Sequence, residues 1–181
     1  MTFARRACLI VGAAALTALG GTTALAAPSS SKSSSLTEVE ARALKVSRNL
    51  WGTIDVCNPK DQPNAVGVRG SMPGDHQAGD KMYMRFSLQY LSAKTKQWTD
   101  VSKGVAAHYV AVGSGATGRQ DGRIFEFEAM PVAFTLRGVV DFQWRRGKQV
   151  LLSASRYTSA GHVSRQGSDP AGYTAAGCVI G

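Results

Sequence analysis

Three histidines, His76, His108 and His162, and a scatter of aspartates are the side chains best suited to acid–base or metal chemistry in this chain. His76 lies in the loop sequence GDHQAGD with Asp75 and Asp80, and His162 in SAGHVSRQGSDP with Arg165 and Asp169. Imidazoles and carboxylates on loops can converge at one end of a rigid scaffold to bind a metal or activate a nucleophile. Their spacing does not point that way, because neither His-x-His nor His-Glu-x-x-His occurs. Asp75, Asp80 and Asp121 are too sparse for a calcium loop, and no D-x-[DN]-x-[DN]-G run exists. Ser114 lies between Gly113 and Gly115, but Val112 stands where a nucleophile elbow requires its first glycine, and Ser71 fails the same test. A triad assembled from distant positions stays open. Gly113 to Gly118 matches G-x-G-x-x-G, a pattern that binds dinucleotides only between a strand and a helix. Here Arg123 to Glu128 reads as another strand, so the motif is a glycine-rich turn. The sequence therefore assigns no catalytic, cofactor-binding or metal-ligating residue.

Charge gives a second kind of chemistry. Lys and Arg number 21 against 12 Asp and Glu, a formal net charge of +9. The cations are dispersed: Lys94 and Lys96 share one loop, and Arg145, Arg146 and Lys148 one hairpin tip. Tyr83 next to Arg85 is the one place where aromatic and basic residues interleave on a strand. Nucleic-acid binding calls for a continuous basic stripe with stacking aromatics, so that partner is not expected. Weak attraction to an anionic polymer of the cell envelope fits better.

The N-terminus predicts export. Arg5 and Arg6 precede an apolar run from Ala7 to Leu19, and Ala24-Leu25-Ala26 supplies small residues for a signal peptidase. Cleavage is expected after Ala26, with Ala27 as the alternative. The run is too short to span a membrane, which takes about 20 apolar residues, so no transmembrane segment is expected in the mature chain. General secretion fits better than twin-arginine export, because Ala7-Cys8-Leu9 matches that motif poorly. The bacterial export signal takes Cys8 with it and leaves an even cysteine count. One disulfide, Cys57 to Cys178, is expected in the oxidising compartment.

These groups need elements to position them. Residues 27–46 read as a Ser-rich flexible linker containing PSSSKSSS, with a capping box at Thr37 and Glu40 that predicts no more than a transient helix. From residue 47 the pattern changes to period two. Met82, Met84, Phe86, Leu88 and Tyr90 alternate with Lys81, Tyr83, Arg85, Ser87 and Gln89. Phe134, Leu136, Gly138, Val140, Phe142 and Trp144 alternate in the same way with polar or smaller neighbours. Each such run presents one face to a core and one to water. Shorter runs at Leu50–Cys57, Val66–Met72, His108–Val112, Ile124–Glu128, Gln149–Tyr157 and Tyr173–Ile180 extend the reading to seven or eight strands. Arg145 to Lys148 forms a hairpin turn. The expected fold is all-β, an antiparallel β-sandwich over residues 47–181.

The segment FTLRGVVDFQWRRGKQVLLSASRYT, Phe134 to Thr158, resembles secreted immunoglobulin-like or fibronectin-III-like β-sandwich domains. The resemblance implies an architecture and no site residue. One departure stands out: Trp144 falls between Cys57 and Cys178, but those cysteines lie near opposite ends of the domain, as a terminal staple. The functional expectation is a secreted or cell-envelope, non-catalytic binding or structural module. Its partner would be a protein or an anionic envelope polymer, met through loops or a sheet face, with no cofactor. The alternatives are a small secreted hydrolase with a loop-borne histidine, or a secreted inhibitor or effector.

Overall fold

A computed structural model describes residues 35–102, 108–129, 131–162 and 167–181. The predicted signal peptide, the linker up to residue 34, and Arg165 lie outside the described residues. One helix, α1 (Glu38–Val46), precedes nine strands: β1 (Trp51–Cys57), β2 (Ala65–Met72), β3 (Lys81–Leu91), β4 (Trp98–Asp100), β5 (Val110–Ser114), β6 (Arg119–Glu126), β7 (Phe134–Arg146), β8 (Gln149–Tyr157) and β9 (Cys178–Ile180). The fold is all-β, as the alternation predicts.

The strands form two antiparallel sheets. The smaller has the order β1-β2-β6. The larger is built on β3 and β7, which pair from Lys81 with Arg145 to Tyr90 with Leu136. The other edge of β3 is shared by β5 and β4, and the other edge of β7 by β8 and β9. Period two then sorts the side chains. Met82, Met84, Phe86 and Leu88 of β3 and Leu136, Val140, Phe142 and Trp144 of β7 are buried. They share one apolar cluster with Ile54, Val66, Val68, Met72 and Phe125 of the smaller sheet. Each such side chain contributes about 1.5–3 kcal/mol by leaving water. Trp144 is fully buried, and its indole N–H donates to the Pro73 carbonyl at 3.0 Å. The sheets approach closely at Gly138, where a Cβ would lie 2.6 Å from Thr158 Cγ2 and 2.8 Å from the Val68 methyls.

The segment after β8 runs along the free edge of β1. Ile54 and Ala175 exchange backbone hydrogen bonds at 2.9 and 3.0 Å, and Ser159 N–H and Asp169 N–H donate to the Gly52 and Asp55 carbonyls. This edge is thereby covered, which blunts pairing with another chain. Cys57 and Cys178 are bonded, with Cα atoms 5.5 Å apart. The bond joins β1 of the smaller sheet to β9 of the larger.

Several elements differ from the sequence expectation. The helix is formed and docked: Thr37 and Glu40 make the full capping box, Leu44 is buried in the core, and Arg156 donates to the Lys45 carbonyl. Short helices gain their stability from such packing, which an amphipathic pattern this brief does not disclose. β4 was not expected, because three residues carry no measurable period. β6 begins at Arg119 rather than Ile124, since its polar outer face hides the alternation. The strand expected over Tyr173–Ile180 is confined to Cys178–Ile180.

Candidate functional site

The outward face of the larger sheet carries the densest chemistry among the described residues. On β3 it presents Tyr83, Arg85, Ser87 and Gln89, and on β7 Arg137, Val139, Asp141, Gln143 and Arg145, each alternate to a buried neighbour. The register sets Arg85 opposite Asp141 and Gln89 opposite Arg137. Arg85 Nη2 lies 2.9 Å from Asp141 Oδ2, and Asp141 also accepts from the Ser155 hydroxyl of β8. The Asp141 hydrogen bond holds the Arg85 guanidinium even more firmly charged than usual.

Aromatic rings hold these arginines flat. The Arg145 guanidinium lies 4.1 Å from the Tyr83 ring centre and 5.0 Å from that of Tyr109, which Arg85 also covers at 5.0 Å. Burial pushes the Tyr109 phenol above its usual range, with Arg85 opposing. Arg137 lies 4.3 Å from the centre of Trp98 on the β3 side and 3.8 Å from that of Tyr157 on β8. Its Nε donates to Gln89 Oε1 at 2.9 Å, and Gln89 Nε2 donates to Asp100 Oδ1 at 2.8 Å. Cation–π contacts of this kind contribute about 0.5–1 kcal/mol each where exposed and cost the arginine much of its freedom. Beside them runs a polar trough of about 340 Å³ lined by Arg85, Ser87, Gln89, Asp100, Val139 and Asp141.

Tyr83 beside Arg85 was visible in the sequence. The rest of the ladder was not, because Trp98 comes from β4, Tyr109 from the residue before β5 and Tyr157 from β8. Nothing local signals that they converge.

The histidines are placed apart. His76, at φ 63°, lines a cavity of about 350 Å³ with Glu40, Leu44 and Asp75. His108 is exposed and borders a trough with Phe86 and Arg123. His162 stacks on Trp51, with ring centres 4.7 Å apart and planes 8° from parallel, and burial pushes its imidazole pKa down. Among the described residues, no imidazole is hydrogen-bonded to a carboxylate or a serine hydroxyl, and no group of three or more His, Cys, Asp or Glu side chains could hold a metal ion. Asp169 pairs along β1 at Val56, away from His76.

Asp75 and Asp80 do come together. Their carboxyls are close enough to shift each other's ionisation, in opposite directions. Asp80 is 1% exposed, and both its oxygens accept from Arg146, at 2.7 and 2.8 Å. Arg146 holds Asp80 below the usual carboxylate range, while burial pushes Asp75 above it. Carboxyls driven apart in this way are the pattern of acid–base pairs. Asp80 is closed to a substrate, however, and Asp75 Oδ2 is buried too. The glycine-rich turn explains itself here: a Cβ on Gly115 would sit 2.0 Å from Asp75 Oδ1, and β6, not a helix, follows it. A second buried pair, Asp55 and Arg69 at 2.7 Å, lies under the segment that covers β1.

No protein-family model and no curated protein matches this chain. No helix among the described residues is long and apolar enough to cross a membrane.

Proposed function

We propose that this chain is an exported, non-catalytic binding module of immunoglobulin-like or fibronectin-III-like architecture. It acts outside the cell or in the cell envelope, and the outward face of its larger sheet engages an anionic polymer there. The observation that carries this reading is the set of arginines, Arg85, Arg137 and Arg145, fixed against aromatic rings on one face. Arginines immobilised before binding lose little entropy on meeting an anion. The signal-like N-terminus and the Cys57–Cys178 bond support an oxidising, extracellular setting.

The test is salt-dependent retention on envelope polysaccharide from the producing cells. Arg85→Gln, Arg137→Gln and Arg145→Gln together should abolish retention. Arg42→Gln, Lys45→Gln and Lys60→Gln together remove as much charge from elsewhere and should leave most of it. Equal loss in both variants would reduce the binding to diffuse charge and overturn the reading.

A further inference from the structure

We infer that Arg137, clamped between Trp98 and Tyr157, is the carboxylate-recognising subsite for an acidic, uronate-type polysaccharide. The inference rests on the reading of this face as the binding surface and names its ligand class.

The guanidinium has aromatic rings reaching it from both flanks, at 4.3 and 3.8 Å. Its Nε is committed to Gln89, which Asp100 holds in turn. Among the described residues, its terminal nitrogens donate no hydrogen bond to the protein. Arg85 and Arg146, by contrast, are paired with Asp141 and Asp80. What remains at Arg137 is a planar fork of N–H donors, fixed in orientation and weakly hydrated, which matches the two oxygens of a carboxylate.

The surroundings select the rest of the ligand. Ser87, Gln89, Asp100 and Asp141 line the adjacent trough and offer hydroxyl, amide and carboxylate partners suited to sugar hydroxyls. The Tyr157 ring, 56% exposed, offers a flat apolar face beside them. A nucleic acid needs a continuous basic stripe along its backbone, and on this face Asp100 and Asp141 interrupt the arginines. The trough itself is lined mainly by polar side chains, while an apolar cavity of about 530 Å³ adjoins it at Asp100 and Val101, so the poly-glutamate arm of the test decides between a sugar chain and an acidic peptide. A uronate chain carries one carboxylate per sugar, so the single fork of Arg137 takes one carboxylate while the flanking hydroxyls meet the polar lining of the trough.

The test is titration of the purified full chain with polygalacturonate, its methyl ester, poly-glutamate and double-stranded DNA. Polygalacturonate should bind most tightly, and methyl esterification should weaken binding about tenfold or more, the scale of a lost charged hydrogen-bond pair. Arg137→Lys keeps the charge but loses the fork and the stacking, and should weaken binding to a similar degree, with Lys60→Gln changing it less than twofold. The ester comparison uses the unaltered protein, so it decides the matter even if Arg137→Lys folds poorly. Equal binding of acid and ester, or equal or tighter binding of DNA or poly-glutamate, overturns the inference. If polygalacturonate is not bound while the triple arginine variant still loses envelope retention, only the sugar assignment fails; if that variant retains binding, the face itself is wrong.

Discussion

Asp75 and Asp80 sit in one loop, yet their surroundings hold their protons differently. Asp80, held low by Arg146, contributes stability that is complete above the ordinary carboxylate pKa, about 3.9, and is lost as pH falls through its folded value. Asp75, raised by burial, acts in the opposite sense: the fold loses stability as pH rises from about 3.9 through the raised value. Asp80→Asn is expected to cost about 1–3 kcal/mol at pH 7, because Arg146 loses its carboxylate. The urea midpoint reads this, and the cost should shrink below about pH 4. At His162 the lowered pKa means that stability is complete above about 6.5 and falls with pH below it. Melting temperatures of His162→Gln should lack that slope. The sequence showed Asp75, Asp80 and His162 as loop candidates. It did not show Arg146 or Trp51, which reach them from distant strands, so the chemistry of each stayed open. Gly138 is similar: alternation put it on the inner face of β7, but only the closeness of Val68 and Thr158 shows why no side chain fits there. Gly138→Ala should destabilise by about 1–3 kcal/mol through overpacking.

Legibility at the level of elements followed length and period. β3 and β7 are long and alternate cleanly, so both were visible, as was the hairpin that joins β7 to β8. β4 is three residues, yet it supplies Trp98 to the Arg137 clamp. The helix α1 shows the complementary case, since its capping box was legible while its docking was not. Leu44 in the core and Arg156 on the Lys45 carbonyl turn a marginal segment into a fixed one. Leu44→Ala should therefore cost about 2 kcal/mol or more, and Thr37→Ala about 1 kcal/mol. Amide hydrogen exchange should show α1 opening in both variants while β3 and β7 stay protected.

Across the whole molecule, two sheets share one core, and the outer face of the larger sheet gathers Arg85, Arg137 and Arg145. That gathering is not legible in the dispersed charge of the chain, because these arginines become neighbours only through strand pairing. The disulfide spans 121 residues of sequence, and opening so long a loop should cost about 5 kcal/mol by chain entropy. Cys57→Ser with Cys178→Ser should lower the urea midpoint accordingly. The same bond also has a mechanical consequence. A pull applied at the two ends of the domain enters through β1, crosses the sulfur bridge and leaves through β9, so everything from Asn58 to Gly177 carries no load. The arginine face and much of the core it rests on lie inside that loop. A domain pulled at both ends would therefore extend only by its short outer segments. Stretching single molecules should release about 40 nm more chain after reduction than before, at up to ~3.6 Å per residue.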